Sequence, residues 1–511
     1  MSKQNPKVLF VYPPNQLMAV EIPRPDGSLG PLYLAGALRR AGIQAEVLDA
    51  SVGATGDSLR ETFFRRALQS NGLTRIGMTP ERLEEFLGQG QYDIVGISSN
   101  FTPQTRMALE VAEIAKKVKP DTLVIAGGVN ARAIPKKFLN KGLVDLIATT
   151  EAEKIIVEIV HAWQAGRSFN ELNGVIFRHQ GFIKTKPATA ESVYTDLDHL
   201  PLPAWNLLPF GKYDEINSPH GSIIPGRKRR YAPLMTSRGC PFRCAYCHIS
   251  REKEPGAITG DIGGLRLKSI DRVMEEVQIL LSLGVSHLYL EDDSLLAKRA
   301  RVTDLFSRLA GLGMKISNVN GVNLVHFGVG SGTGGRLEPD RKYLEVMKRA
   351  GFDEIVFPVE SGNQRILNKY ATGKLNLSRL DVLKLVRTAV EVGITCPVNM
   401  MIGFPDETEE EMHQSVELAK RLVGCGAPYV TFFIPIPFPG SKLYEMALAE
   451  GHLARDFDPD TMNWKSAVMM KTAVPPERVI ELRDWAWETV NTEDYKKKRR
   501  QREIGDPRFA E

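Results

Sequence analysis

Short apolar runs alternate with longer amphipathic stretches over the first 165 residues. The apolar runs predict buried strands at residues 7–12, 45–49, 92–98, 122–126 and 143–147. The intervening periodic stretches predict helices, among them residues 32–40, 105–118 and 151–165. Such alternation predicts a parallel sheet with right-handed crossovers. An insertion over residues 51–90 interrupts the pattern, and we expect it to be helical.

The same alternation returns in the second half of the chain. Six apolar runs predict strands at residues 232–236, 287–290, 315–319, 354–359, 398–402 and 429–433. Six strand–helix units predict a partial barrel that is smaller than the eight-unit form. Between the two arrays, residues 174–185 predict a β-hairpin, and the proline-rich residues 200–209 predict an interdomain linker.

The chain is therefore predicted to be an α/β protein with four parts. They are a doubly wound Rossmann-like domain (residues 1–165), a hairpin with a proline-rich linker (166–230), a partial (β/α)6 barrel (231–445) and a helical C-terminal cap (446–511). In both kinds of sheet, ligands bind beyond the carboxyl ends of the strands. The functional residues are therefore expected in the loops that follow the strands.

Composition places the chain among ordinary globular proteins. Apolar residues make up 43% and charged residues 25%, which excludes a disordered chain and a small disulfide-rich protein. The net charge of +5 over 511 residues gives little reason to expect a nucleic-acid partner, and we interpret the basic run at 496–502 as a solvated helix end. We find neither a membrane span nor a signal peptide and expect a cytoplasmic protein.

Three of the five cysteines fall within eight residues, with the spacing Cys-x3-Cys-x2-Cys: Cys240, Cys244 and Cys247. Such a loop lets three thiolates converge on one metal centre. The last two cysteines with His248 match a haem-attachment string, which needs an export route, and a structural zinc site could use all three with His248. A [4Fe–4S] cluster on three cysteines would leave one iron open for a substrate or cofactor. The remaining two cysteines are interpreted as ordinary buried thiols, Cys396 and Cys425.

The cysteine motif, placed after the first strand of a six-unit array, resembles that of the radical S-adenosylmethionine (SAM) enzymes over about residues 231–445. The resemblance implies that the three cysteines hold a [4Fe–4S] cluster whose open iron chelates SAM. One electron then cleaves SAM to methionine and a 5′-deoxyadenosyl radical. The implied SAM contacts are Tyr246, Asp292, Asp293, Glu360, Ser361, Asn399, Gly403 and Pro435. The acidic residues 407–411 are interpreted as a solvated helix start.

The order of the parts, a doubly wound domain followed by a proline-rich linker and such a barrel, resembles the cobalamin-binding radical SAM enzymes. The resemblance implies that two loops wrap the cofactor, with contacts from Ser98, Ser99, Asn100, Thr102, Gly127, Gly128, Val129 and Glu151. Glycines let a backbone approach a flat macrocycle closely. Taken alone, the domain could bind a nucleotide instead, although no G-x-G-x-x-G string supports a dinucleotide.

Two positions depart from the family pattern. Ser51 stands where many cobalamin modules carry a cobalt-binding histidine, so the resemblance predicts cobalamin without a histidine ligand. Thr150 precedes Glu151 where relatives often have glycine, which changes the expected geometry of that loop.

Together the resemblances imply a cobalamin-dependent radical SAM methyltransferase. It would methylate an unactivated carbon of a small molecule, such as a secondary metabolite, lipid or pigment, through methylcobalamin, with an electron donor such as flavodoxin or ferredoxin. The alternative is a cyclase or ring-rearranging enzyme with the same cofactors and no net methyl transfer. A cofactor-based sensor that binds nucleic acid stays open, whereas methylthiolation is not expected because no cysteine precedes Cys240.

Overall fold

The structure, a computed structural model, describes residues 5–19, 21, 23–25, 27–216, 230–318, 320–330 and 335–504. Its strands are β1 (Val8–Tyr12), β2 (Asn15–Leu17), β3 (Ala45–Asp49), β4 (Ala67–Leu68), β5 (Thr74–Ile76), β6 (Ile94–Ser98), β7 (Leu123–Gly127), β8 (Leu146–Ala148), β9 (Val175–His179), β10 (Phe182–Lys186), β11 (Tyr231–Leu234), β12 (Ser237–Arg238), β13 (Arg266–Leu267), β14 (His287–Leu290), β15 (Lys315–Asn318), β16 (Gly328–Val329), β17 (Glu338–Pro339), β18 (Phe357–Glu360), β19 (Val398–Met401) and β20 (Val430–Phe433). Its helices are α1 (Leu29–Arg40), α2 (Pro80–Gly90), α3 (Thr105–Val118), α4 (Val129–Ala133), α5 (Pro135–Leu139), α6 (Glu153–Ala165), α7 (Phe210–Ile216), α8 (Ile270–Ser282), α9 (Arg299–Leu309), α10 (Arg341–Ala350), α11 (Gln364–Tyr370), α12 (Val382–Glu391), α13 (Glu409–Gly424), α14 (Lys442–Ala449), α15 (Pro476–Val490) and α16 (Glu493–Ile504).

The N-terminal domain is built on a seven-stranded sheet with the order β10-β9-β8-β7-β6-β1-β3. Strands β1, β3, β6, β7 and β8 are parallel, as the alternating pattern predicts. All five residues of β1 are buried, because helices cover both faces of a parallel sheet. The hairpin β9–β10 was assigned to the linker segment, yet β9 pairs antiparallel with β8 and continues this sheet. The carboxyl ends of β6 and β7 lie side by side and carry the loops that were expected to hold cobalamin.

The insertion at residues 51–90 is helical only in α2, so the expectation of a wholly helical insertion is wrong. Thr79 caps this helix by accepting from the Arg82 N–H, and Pro80 follows at the first helical position. The earlier part forms β4 and β5, which pair with β2 in a three-stranded antiparallel sheet. Strands this short are stabilised by a partner that lies more than fifty residues away in the chain, and local periodicity does not reveal such a partner.

The linker packs against the second array. Trp205 is buried, and its indole N–H donates to the carbonyl of Pro233 in β11 at 3.0 Å. The end of the predicted linker, residues 217–229, lies outside the described residues.

The six predicted strands of the second array are all present, and every described pairing among them is parallel. They form two three-stranded sheets, β11-β14-β15 and β18-β19-β20, and an isolated parallel bridge pairs Ile316 of β15 with Phe352, which precedes β18. The expected strand at 315–319 ends at Asn318 in the structure, and Val319 lies outside the described residues. The α/β architecture is confirmed, whereas the closure of the six strands into a partial barrel stays a prediction.

The C-terminal region ends in two helices, α15 and α16, as predicted for a helical cap. Helix α15 packs on β20, and Asn491 at its end bonds both the N–H and the carbonyl of Val430. The basic run lies within α16, although the side chain of Arg502 lies outside the described residues. Within the described part of the chain, we find no helix with the length and apolar character needed to cross a bilayer.

Candidate active site

The cysteine loop is held by segments that are distant in the chain. Its backbone makes hydrogen bonds from Cys240 N to Gly263 O at 3.1 Å, from Ala245 N to Tyr370 O at 2.7 Å, and from Leu443 N to Ala245 O at 2.8 Å. Gly239 precedes the loop with φ of +76°, and a Cβ there would lie 2.3 Å from Gly264 O. The loop is therefore fixed in place without help from the cysteine side chains.

The three cysteines are free thiols, with Cys244 buried and Cys240 and Cys247 half-buried. Burial raises the pKa of Cys247 to about 12 and also raises the pKa of Cys244. Such thiols lose their protons when a metal centre binds them. Three soft sulfur donors on one loop have the chemistry that an iron–sulfur cluster requires.

The zinc alternative has no support in the geometry. Among the residues that the structure describes, no three His, Cys, Asp or Glu side chains close around a single metal ion. A structural zinc needs four such ligands on one ion, whereas a cubane cluster takes each thiolate on a different iron. His248 lies 3.7 Å from the carboxylate of Glu252, and burial with nearby Arg132 lowers its pKa to about 3.

The two aspartates after β14 have different surroundings. The buried carboxylate of Asp292 accepts hydrogen bonds from the N–H and hydroxyl of Thr236 and from the hydroxyl of Ser237, so it anchors the chain that leads into the cysteine loop. Asp293 accepts the N–H of Gly239 at 3.0 Å and stays partly accessible, and burial raises its pKa to about 6. Of the two predicted ammonium contacts, Asp293 therefore has the free carboxylate surface.

Glu360, at the end of β18, connects the cysteine loop to the sheet β18-β19-β20. It has a φ of +69°, an uncommon value for a residue with a side chain, and its carboxylate accepts the hydroxyl of Tyr246 at 2.9 Å. The same carboxylate forms an ion pair with Lys374, and these two side chains are only 8% and 12% exposed. The structure thus brings together two of the predicted SAM contacts, Tyr246 and Glu360, and adds Lys374, while their contact with SAM stays a prediction.

The other predicted SAM contacts lie deeper or elsewhere. Ser361 is buried, 3.2 Å from the hydroxyl of Ser415, Pro435 is buried after β20, and Asn399 is half-buried in β19. Gly403 has φ of +98°, and a Cβ there would lie 2.4 Å from Val479 of α15, so the packing of the C-terminal cap already requires glycine.

Residues 407–411 were expected to form a solvated helix start. This expectation is wrong for Glu407, which is fully buried. Its carboxylate accepts the N–H groups of Gly403 at 2.7 Å and Phe404 at 3.1 Å, and burial raises its pKa to about 8. The expected helix start lies one residue later, where Thr408 and Glu411 form a capping box.

The two loops after β6 and β7 leave space on one side. A Cβ on Gly127 would meet no atom within 4 Å, whereas a Cβ on Gly128, with φ of +102°, would lie 2.4 Å from Asn100 Oδ1 and Ser99 O. Asn130 is buried, its amide group donates to Ser99 Oγ at 2.9 Å, and its own Oδ1 has no hydrogen-bond partner among the described residues. An open glycine surface suits a flat macrocyclic cofactor such as cobalamin.

The remaining predicted cobalamin contacts differ in their burial and in their partners. Ser98 and Val129 are half-buried beside this space, whereas Thr102 is buried. Glu151 is engaged by two guanidinium groups, those of Arg238 at 2.9 Å and Arg266 at 2.5 Å, so its contact with the cofactor stays a prediction.

Ser51, at the position of the missing histidine, is buried and donates to Asp49 at 2.6 Å, and Tyr213 donates to the same carboxylate at 2.6 Å.

Sequence reasoning missed the charged pairs between the two domains. Arg238 contacts Glu151 and Glu153, and its guanidinium lies 4.7 Å from the ring centre of Tyr33 in α1. Arg132 in α4 pairs with Glu252, which follows the cysteine loop. Arg238 stands two residues before Cys240 in the sequence, but nothing in the local pattern indicates that it is buried.

Comparison with known proteins supports both halves of this arrangement. The radical SAM superfamily model matches residues 234–419, and the B12 binding domain model matches residues 27–160. An uncharacterized methyltransferase of Pyrococcus horikoshii is 28% identical over 86% of this chain and 86% of its own length. Cytidylyl-2-hydroxyethylphosphonate methyltransferase of Streptomyces wedmorensis is 26% identical over 91% and 85%. Anaerobic magnesium-protoporphyrin IX monomethyl ester cyclase of Rubrivivax gelatinosus is 23% identical over 93% and 75%.

The fold is also that of a solved structure. The radical S-adenosylmethionine methyltransferase TsrM from Kitasatospora setae, solved with cobalamin and a [4Fe–4S] cluster, superposes with a TM-score of 0.61 at 16% identity and covers 88% of this chain and 79% of its own. At that identity the likeness concerns the fold alone. The cofactors expected of the two matched domains are a [4Fe–4S] cluster, SAM and cobalamin. The chain thus has a segment that matches the radical SAM superfamily model, preceded by a segment that matches the B12 binding domain model.

Proposed function

We propose that the protein is a cobalamin-dependent radical SAM methyltransferase that acts on an unactivated carbon of a small molecule. The observation that carries this proposal is the contact between α4, the helix that follows the open glycine loop, and Glu252, which follows the cysteine loop. Arg132, on the helix that follows Gly127 and Gly128, forms an ion pair with Glu252, five residues after Cys247. A Cβ on Gly440, in the loop after β20, would lie 3.3 Å from Ala133 of the same helix.

The cysteine side and the glycine side would bind different cofactors. When bound, the cluster with SAM supplies a carbon-centred radical, and cobalamin supplies a carrier for the methyl group. Cys240, Cys244 and Cys247 would hold the cluster, and Asp293 would hold the ammonium of SAM through its accessible carboxylate. The glycine surface at Gly127 would receive the cobalamin face.

The structure also suggests how water is kept from the reacting groups. Trp464 donates to Glu21 of the N-terminal domain at 3.1 Å and packs edge-on against Phe433 at the end of β20. Asp460 accepts from Gln16 at 2.7 Å and from Arg106 at 3.0 Å. The segment around 460–464 therefore joins β20 to the N-terminal domain, and we propose that it closes one side of the substrate space.

The names of two relatives favour methyl transfer, and the name of a third favours the alternative. Two of the three relatives compared above are called methyltransferases, whereas the cyclase is more distant at 23% identity. We propose an electron donor such as flavodoxin or ferredoxin as the partner that reduces the cluster. A cytoplasmic location is proposed as well, because all five cysteines are free thiols, which suits a reducing compartment.

The test is an anaerobic reaction of the cluster- and cobalamin-loaded protein with SAM, a reductant and candidate small molecules. We expect 5′-deoxyadenosine together with a product that is heavier by one CH2 and that takes up the label of methyl-deuterated SAM. Formation of 5′-deoxyadenosine with a product that carries no label would instead support the cyclase or rearrangement alternative. If the reduced, loaded protein does not cleave SAM at all, the proposed function is wrong.

A further inference from the structure

The charged pair of Lys374 and Glu360 lies directly behind the cysteine loop. The two side chains are 12% and 8% exposed, and Tyr246, which stands between Cys244 and Cys247 in the sequence, donates to Glu360 at 2.9 Å. A buried ammonium and a buried carboxylate are costly to desolvate, and replacing such a pair by apolar residues is often neutral or stabilising. Stability alone therefore gives little reason for this pair.

The ammonium of Lys374 is held by the carboxylate that also accepts the hydroxyl of Tyr246. Burial opposes its charge, yet Glu360 together with Cys244 and Cys247 raises the pKa of Lys374 above its ordinary value. The ammonium is therefore linked to the cysteine loop through Glu360 and Tyr246, in surroundings where charges are weakly screened.

We propose that Lys374 is a positioning residue for electron transfer, which stabilises the reduced, more negatively charged state of the cluster and is itself held in place by Glu360. This inference rests on the proposed cluster at Cys240, Cys244 and Cys247. Reduction adds one electron to the iron of the cluster, supplied by a low-potential donor, and no proton or bond changes. Net charge and hydrogen bonding around a cluster are established determinants of its potential.

The two partners should shift the potential in opposite directions. Lys374→Met removes the positive charge and leaves Glu360 unbalanced, so we expect the ratio of reduced to oxidised cluster at a fixed potential to fall about tenfold, which is about 59 mV for one electron. Glu360→Gln leaves the ammonium unbalanced and should raise that ratio by a similar factor. Lys374→Arg keeps the charge and should stay close to the wild type.

The experiment is a redox titration of the cluster-loaded protein without SAM, monitored by the electron paramagnetic resonance signal of the reduced cluster. Lys369→Met is the matched control, because Lys369 also pairs with a carboxylate, that of Asp406, but is 43% exposed. Its potential should not move. Omitting SAM keeps the result independent of any role of Glu360 in binding SAM.

The outcomes separate the two proposals. If the wild-type protein binds no iron–sulfur cluster, the proposed function fails. If the cluster forms and the two single variants shift the potential in the same direction, or neither shifts it by more than about threefold in the ratio, the role of Lys374 is wrong and the proposed function stands. Should Lys374→Met not hold a cluster, the opposite shift expected for Glu360→Gln and the retained potential of Lys374→Arg still decide the matter.

Discussion

The cysteine loop and the glycine loops differ in how far the protein itself fills the space around them and provides partners for their polar groups. Around the cysteines, buried carboxylates have protein partners, as in the hydrogen bonds of Asp292 and the pair of Glu360 with Lys374. Around Gly127, a Cβ would meet nothing within 4 Å, and the Oδ1 of Asn130 lacks a partner among the described residues.

The difference teaches how the two cofactors would be held. A cluster is bound by a few strong metal–sulfur bonds, so the protein has to fix only three donors, and a dense network of hydrogen bonds does so. Cobalamin is large and is bound by many weak contacts, so the protein has to leave a shaped and unfilled surface. The first arrangement leaves a short motif in the sequence, and the second leaves almost none.

Of the changes considered for these two regions, the removal of one cysteine should have the largest effect. We expect Cys240→Ala to abolish SAM cleavage, because two thiolates leave a second iron without its protein ligand. The measurement is 5′-deoxyadenosine formed by anaerobically loaded protein, together with its iron content. Cys425→Ala is the matched control, since this thiol lies at the end of α13, where it accepts from Arg387 at 3.2 Å. Loss of SAM cleavage in both variants would contradict the assignment.

The strands and the cysteine loop could be read from the sequence because their signals are local. Residues of a strand buried on both faces, such as Val8–Tyr12, form an uninterrupted apolar run, and the cysteines have a fixed spacing. What could not be read depends on distant partners. Strands β4 and β5 exist because β2 pairs with them, and Glu407 is buried because the loop at Gly403 offers it two N–H groups. Buried charges such as Lys374 look like surface residues until their counter-ion is known.

The boundary between the two regions depends on Arg238, which bonds Glu151 at 2.9 Å and Glu153 at 2.6 Å. We expect Arg238→Met to cost about 3–5 kcal/mol in stability, because the buried carboxylate of Glu153 loses its counter-ion and Glu151 keeps only Arg266. The measurement is the shift of the chemical unfolding transition.

Arg365→Met is the matched control for this prediction. Arg365 also binds two carboxylates, those of Asp406 and Glu411, both at 2.6 Å, but it is 46% exposed. Its loss should cost less than about 1 kcal/mol, since water screens exposed pairs. Equal costs for the two variants would show that the contact between the domains does not depend on the buried pair.

The pH dependence of stability should reveal the buried carboxyl of Glu407 on the barrel side. Its pKa is raised to about 8 from an ordinary 4.5, so the folded state binds this proton more tightly than the unfolded chain. Its contribution is fully present below about pH 4.5 and is lost as the pH rises through 8. We expect Glu407→Gln to gain roughly 3 kcal/mol relative to the wild type between pH 5 and pH 8.

The measurement is thermal unfolding of both proteins across that range, with Glu411→Gln as the control. Glu411 lies four residues away, and the ion pair with Arg365 lowers its pKa to about 2, so its contribution is lost only as the pH falls through that value. The difference between Glu411→Gln and the wild type should therefore stay constant from pH 5 to pH 8. A constant difference for Glu407→Gln as well would mean that this carboxyl titrates normally.

The finest test uses two adjacent glycines on the cobalamin side. Gly128→Ala should destabilise the protein by about 1–3 kcal/mol, because φ is +102° and the new Cβ would lie 2.4 Å from Ser99 O. Gly127→Ala should leave the stability of the cofactor-free protein within about 0.5 kcal/mol, since nothing lies within 4 Å of its Cβ. The same methyl group would occupy the space meant for the cofactor, so we expect the Kd for hydroxocobalamin to rise about tenfold. If Gly127→Ala binds cobalamin as tightly as the wild type, the open surface at Gly127 does not face the cofactor. The glycine loops would then not be the unfilled binding surface that distinguishes them from the cysteine loop.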